Sequence, residues 1–449
     1  MEGGRRAARA RTKKVAATPA RGPRCDPART RVALTKCGDV PHHDSKMSVQ
    51  VLPSSDPPVR DAPDFSVVLG GPLFQLLRRG HLASDAMTLV ARRCWLFILL
   101  TWVPLLVLSA LDGHLIDGGV TVPFLTDVET HVRFLVVVPL LLAAELVVHR
   151  RLLPIASSFL DRDLVPADSR ARFNAVISSA IRLRNSAPAE LFMLGFVYAV
   201  GVLVVWRRYT ALDTSTWYAT AAAGHGRLSH AGMWYAYLSL PVFQFLLLRW
   251  YFRMLIWIRF LWQASRVELK LVPTHPDQLG GLGFLANTVF AFGVLLVAHG
   301  AMLAAQIAGR IFFEGAALTD FKEEIFLVLV FLLCLVFAPL LVFSPQLSRA
   351  KHRGLIEYGA LAERYVRLFD GKWLRGGADA TEPLMGSADI QSLADLGNSF
   401  AVVRTMRLAP IGRDAVLELA ACVLVPLVPL LLTVMPAEQL VNKLLGLVL

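Results

Sequence analysis

Apolar residues gather along this chain in seven long blocks, separated by stretches where charges concentrate. The blocks run Cys94 to Leu111, Phe134 to Val148, Glu190 to Trp206, Gly232 to Trp250, Phe284 to Ala308, Ile325 to Phe343 and Ala415 to Met435. Each approaches the ~17–25 residues a helix needs to cross a bilayer, the second being the shortest. The pattern predicts an all-α fold: a polytopic transmembrane bundle of about seven spans with a helical cytoplasmic insert.

The boundaries follow from the same pattern. Residues 1–63 read as a disordered basic tail, rich in Ala, Arg and Pro and without apolar periodicity. Twelve basic and four acidic residues precede Met47, so most of the chain's +12 sits there, and Met47 is expected to be the true start. Residues 64–93 form an amphipathic cytoplasmic lead-in whose apolar face ends in Arg78, Arg79, Arg92 and Arg93, which suits a helix lying on the membrane surface. Residues 94–343 hold spans one to six, 344–413 the insert, and 414–449 span seven and an apolar C-terminus.

Charge changes the picture in two ways. Its confinement to the tail removes the case for nucleic acid binding. Its alternation between loops orients the chain: Arg150 to Arg184, Arg253 to Lys270 and Arg349 to Arg413 are arginine-rich, whereas Asp112 to Glu129 and Glu314 to Glu324 are acidic. The positive-inside rule then puts the N-terminus in the cytoplasm and the C-terminus in the periplasm, with Arg207 and Arg208 against the trend. The five cysteines show no CxxC spacing and imply neither a disulfide framework nor a zinc site.

Prolines interrupt most spans, at Pro104, Pro139, Pro241, Pro339, Pro426 and Pro429, and each predicts a local departure from α-helical geometry. Small residues from Gly300 to Gly309 predict a close helix contact along span five.

Candidate chemistry is concentrated on the cytoplasmic side. In Leu271-Val-Pro-Thr-His275-Pro-Asp277-Gln-Leu-Gly280-Gly281-Leu-Gly283-Phe284, a His, an Asp and three glycines stand where span five begins. There they could bind an anion or metal, relay a proton, or close a tight turn with Asp277 capping backbone amides. Glu145 and His149, one helical turn apart, Glu190 at the start of span three and Glu418 at the start of span seven are expected at the same depth, joining the His275 loop in one polar site. The plainer alternative is a set of ion pairs with Arg150, Arg182, Arg184 and Arg249. No metal site is assigned. In the insert, Tyr358, Leu361, Tyr365 and Leu368 mark one apolar helix face. Ser387 caps a second helix, on which Asp389, Gln391 and Asp395 form a polar face.

The strings Leu183-Arg184-Asn185-Ser186, His275 to Phe284 and Gly386-Ser-Ala-Asp-Ile-Gln-Ser-Leu-Ala-Asp-Leu396 resemble those of a group of uncharacterised bacterial multi-pass membrane proteins, over roughly Asp64 to Arg413. The resemblance implies a bacterial inner membrane and a start near Met47, and brings no activity with it.

Three functions follow in order: a transporter or channel-like protein, a sensor or scaffold binding partners through residues 344–413, and a membrane-embedded metalloenzyme. The absence of HExxH, GxSxG and Walker A strings argues against the enzyme. The lipid bilayer is the expected partner, with a cytoplasmic protein or a second copy in addition; the cofactor is unknown.

Overall fold

The computed structural model describes residues 66, 68, 70, 90–116, 119–206, 215–220, 227–379 and 381–433. The basic tail, most of the lead-in and the last residues of the chain lie outside them. In chain order the helices are α1 (Val90–Leu111), α2 (Val128–Asp161), α3 (Arg170–Arg184), α4 (Ala187–Phe196, continued by a π-helical stretch Val197–Trp206), α5 (His230–Ala264), α6 (Leu282–Glu314), α7 (Leu318–Leu374), α8 (Ala388–Thr405) and α9 (Arg413–Thr433). Six of these, α1, α2, α5, α6, α7 and α9, are long and apolar enough to cross a membrane. In the block expected as a third span, the described residues include a shorter apolar helix, Ala187–Gly201, with helical backbone continuing to Trp206. Strand structure among the described residues is limited to an antiparallel pair, β1 (Ala219–Thr220) and β2 (Arg227–Leu228).

Prolines accompany several of the places where the long helices change geometry. A π-turn, Arg133–Val137, precedes Pro139 in α2, and another, Tyr235–Ser239, precedes Pro241 in α5. Proline lacks an N–H and its ring collides with the carbonyl four residues back, and a wider turn relieves that collision. Pro339 lies in a 3-10 segment, Ala338–Phe343, while Pro426 and Pro429 share another, Val425–Thr433. Such switches keep the backbone hydrogen-bonded within the segment, as a hydrocarbon environment demands.

Two ends of the bundle are defined by separate contacts. At one, Asp112 accepts from Ala231 N at 3.1 Å and lies 2.8 Å from His230 Nδ1, while Asp127 caps Thr130 and accepts from Trp217 Nε1 at 2.9 Å. Thr121 N and Ser215 O close the same end at 2.9 Å. At the other end, Phe159 of α2 packs edge-on to Phe284 of α6 and beside Phe173 of α3. The thirty-four residues of α2 extend for roughly 51 Å, more than the ~30 Å of a bilayer's hydrocarbon, and reach this second end at Asp161. Helix α3 covers it, burying Phe173, Ile177 and Ala180 on one stripe against α5.

The small-residue seam of α6 meets α9. Gly300, Ala301 and Ala304 are buried there, and a Cβ on Gly300 would run into the Val423 backbone. Beyond the apolar part of α7, Ser344–Phe369 continues as helix and packs against α8, whose Ser387 accepts from Asp389 N at 3.1 Å. The face turned to α8 includes buried Gly354 and half-buried Tyr358 and Tyr365, the latter donating to Asp389 O at 3.1 Å. Leu361 and Leu368, expected on that face, are exposed instead, because α8 is a single narrow helix and covers only one stripe.

Candidate functional site

Buried positions on α2 recur at helical spacing (Leu141, Leu142, Glu145, Val148, Leu152), so Glu145 points into the core by the same geometry as its apolar neighbours. Arg249 and Arg253 occupy the corresponding stripe of α5, with Leu246 and Trp250. Arg93 enters from the start of α1. Around Glu145, Arg93 Nη1 stands 2.6 Å from Oε2, Arg253 Nη2 2.7 Å from Oε1 and Arg249 Nη1 3.3 Å from Oε1. Arg249 Nε also lies 3.5 Å from Glu190 Oε1. Bringing these ions out of water costs several kcal/mol each, and only mutual contacts of this quality offset that cost.

His149, one turn beyond Glu145, places Nδ1 2.8 Å from Ser66 Oγ, and Arg184 donates to Ser66 O and, at 3.1 Å, to Asn185 Oδ1. Buried Ser66 and Val68 thus seat the segment before α1 against the bundle. Arg93, read from sequence as part of an interfacial basic edge, is withdrawn from solvent, because Glu145 gives it a carboxylate inside the bundle.

The His275 loop has a different architecture. Asp277 Oδ1 accepts from Leu279 N at 2.8 Å and Gly281 N at 3.2 Å, and Oδ2 from Gly283 N at 2.8 Å. Gly281 has φ +100°, the left-handed region that lets the turn close onto the carboxylate. A Cβ on Gly283 would stand 2.8 Å from Asp277 Oδ2, so that position is small for contact rather than for φ. His275 Nδ1 lies 2.9 Å from Asp277 Oδ1. Burial pushes the Asp277 carboxyl up, but the amides of Leu279, Gly283 and Gly281 outweigh it and hold the group below the ordinary carboxylate range. The turn carries neighbouring elements: Arg407 N donates to Gln278 O at 2.8 Å, Lys351 Nζ to Met406 O at 2.8 Å, and Gln346 Nε2 to Ser265 O at 2.6 Å.

The residues expected to form one polar site therefore fall into two groups. Glu145, Glu190 and their arginines form one, with His149 joined to it through Ser66 and Arg184. His275, Asp277, Gly280, Gly281 and Gly283 form the other. Glu145 precedes Phe159, the neighbour of Phe284, by fourteen residues, about 21 Å along α2. The two groups stand apart because α2 and α5 continue as helix beyond Glu145 and Arg253, and the loop after α5 comes back beside Phe159 rather than beside Glu145. Glu418 is exposed on α9, and no polar contact ties it to either group among the described residues. On α8, Gln391 donates to Asp395 at 2.8 Å, and Asp389 pairs with Lys372 at 2.8 Å and Trp373 Nε1 at 3.1 Å. Among the described residues no three His, Cys, Asp or Glu side chains are close enough to hold a metal ion.

Two openings adjoin the arginine network. A groove of about 430 Å³ lies between α1, α4 and α5, lined by Phe97, Leu191, Leu194, Tyr198, Val242 and Phe245, with Glu190 at one end. Beside it, Gly70, Arg184, Glu190, Arg249, Phe252, Arg253 and Ile256 surround a crevice of about 10 Å³. Sequence reading missed Arg93 and Arg253 as partners of Glu145. A usable signal existed: Arg249 and Arg253 are one helical turn apart beside Trp250, inside an apolar run that continues to Ala264.

The chain matches no protein-family model, no curated protein and no solved structure.

Proposed function

We propose that this is an integral protein of a bacterial inner membrane, with its N-terminus in the cytoplasm and C-terminus in the periplasm, acting as a transporter or channel-like protein. The observation that carries this reading is the buried network of Glu145, Glu190, Arg93, Arg249 and Arg253 next to an open groove. Ionisable groups inside spanning helices are expensive to bury, which makes each of them a candidate for a substrate path as well as for an ion pair.

Seven crossings are consistent with the contacts at the bundle's two ends. Arg184 and Glu190 sit at the level of Glu145, whereas Thr216 and Trp217 pair with Val122 and Asp127. Val128 and Glu145 are seventeen residues apart on α2, about 26 Å, so the chain between Glu190 and Thr216 covers nearly a bilayer's thickness. In this reading α4 is the third of seven spans, and the end carrying Asp277 and the α7–α8 pair is cytoplasmic, as its arginines require.

A second reading, a scaffold or sensor acting through residues 344–413, is favoured by the exposure of Leu361, Leu368 and Met385 on the α7–α8 pair, Met385 at 89%. Comparing anionic and amphiphilic solutes in deletion and complemented cells separates the two. Transport predicts solutes whose distribution changes on deletion and recovers on complementation. An unchanged profile, with the deletion phenotype reproduced by removing residues 376–405 alone, overturns it in favour of the scaffold.

A further inference from the structure

The groove and the arginine crevice share Glu190 as a lining residue; the groove is almost wholly apolar, and the crevice is bordered by three arginines together with Phe252 and Ile256. We propose that together they form a binding site for a single-chain amphiphile with a compact anionic head group, its hydrocarbon lying along α4 and α5 and its head against Arg184. This rests on the transporter reading and names the substrate class of that site.

The apolar half is built at helical spacing. Ala187, Glu190, Leu191, Leu194 and Tyr198 form one face of α4, and Pro241, Val242, Phe245 and Leu246 the facing side of α5, with Phe97 closing the floor. From Glu190 to Tyr198 the groove extends for about 12 Å along α4, enough for a run of methylenes. Leu191 and Leu194 are exposed along it, so in a bilayer the groove opens toward hydrocarbon and a chain can enter sideways.

The polar half is unbalanced. Among the described residues three guanidinium groups, Arg184, Arg249 and Arg253, and one carboxylate, Glu190, line the crevice, with Glu145 and Arg93 in the network behind it. Arg184 has backbone and amide acceptors but no carboxylate partner among the described residues. Burial, and then the charge of Arg253, lower its pKa, so an added negative charge relieves both effects. A neutral or zwitterionic head gives no such relief. At about 10 Å³ the crevice has room for no more than one water-sized group, so a single head-group oxygen reaches into it while the rest of the head stays at the Glu190 junction. Glu190 at the junction lies 3.5 Å from Arg249 and Arg253 is paired with Glu145, so Arg184 is the lining arginine that has no carboxylate among the described residues.

The test uses the full-length protein in phosphatidylcholine nanodiscs with radiolabelled palmitate, lysophosphatidate and hexadecanol, measured above partition into empty nanodiscs. Saturable one-to-one binding is expected for palmitate or lysophosphatidate, the tighter of the two identifying the head, with hexadecanol at least tenfold weaker. Leu194→Trp should abolish binding by filling the groove. Arg184→Gln should weaken the anionic ligand about tenfold and leave hexadecanol unchanged, while Arg184→Lys, which keeps the charge, should retain binding. Equal binding of hexadecanol and the anionic ligands, or anionic binding indifferent to Arg184→Gln in folded protein, overturns the proposal. Absent binding with normal complementation sinks this inference and leaves transport standing. Normal binding to wild-type protein, with full complementation by Leu194→Trp, counts instead against transport through this site.

Discussion

Arg93 and Glu145, fifty-two residues apart in sequence, face each other at 2.6 Å with only 2% and 4% of their side chains exposed. The pair joins the first residues of α1 to the middle of α2, and Arg249 and Arg253 bring α5 to the same carboxylate. A single acid thus sets the packing of three helices at one level.

Glu145→Gln should therefore be among the most damaging single substitutions in the chain. It leaves three buried guanidinium groups without their shared anion, and removing one partner of such a group costs about 3–5 kcal/mol. Thermal unfolding in detergent should show a large fall in midpoint and a parallel loss of abundance. A midpoint near wild type would show that the arginines find other acceptors.

Asp277→Ala should act differently. Three backbone amides lose their acceptor in a partly exposed turn, a loss of about 1–2 kcal/mol on the scale of helix caps. The turn holds the segment after α8, so limited proteolysis between Gly376 and Gly386 should accelerate while the bundle stays intact. The carboxyl's pKa lies below its unfolded value, so its contribution is fully present above about pH 4 and is lost as pH falls through the folded value. Proteolysis of wild-type protein should be flat from pH 5 to 8 and rise only in stronger acid. An increase already at pH 6 would assign the turn's stability to another group.

Inside the bundle, Tyr251 OH lies 2.8 Å from His299 Nε2, tying α5 to α6. Tyr251→Phe should cost well under 2 kcal/mol, close to the ~0.6 kcal/mol typical of hydrogen bonds between membrane helices. A double-mutant cycle with His299→Phe measures it. A coupling indistinguishable from zero would mean each side chain finds another partner.

Reporter fusions at Gly119 and Ala317 should report the periplasm, and fusions at Ser169 and Gly377 the cytoplasm. A cytoplasmic signal at Ala317 would invert the charge-based orientation, and one at Gly119 would displace α1.

Much of the architecture was legible in sequence because hydrocarbon imposes a simple pattern. Helix positions followed from apolar blocks, and several of the geometric breaks from Pro139, Pro241, Pro339, Pro426 and Pro429. Less legible was where helices end in space. The apolar block stops near Val148, yet α2 runs to Asp161 on buried residues such as Leu152, Ile155 and Phe159, the last packed against Phe173 of α3 and Phe284 of α6. That extension separates Asp277 from Glu145. Arg93 was hidden for a related reason: an arginine at the edge of an apolar block reads as interfacial unless its carboxylate, fifty-two positions away, is known to face it. Asp277 as an amide cap was within reach of the sequence, since Asp followed by Gly281 and Gly283 is the local pattern of a closed turn.

The most direct measurement of whether the arginine network and its groove are a working site compares function with abundance in a deletion strain complemented by Leu194→Trp. Leu194 lines the groove, is exposed, and makes no contact with Glu145, so the protein should fold and accumulate normally. The account predicts wild-type abundance with loss of the complemented phenotype. Wild-type abundance with full complementation would contradict it and leave the network as structural ballast of the bundle.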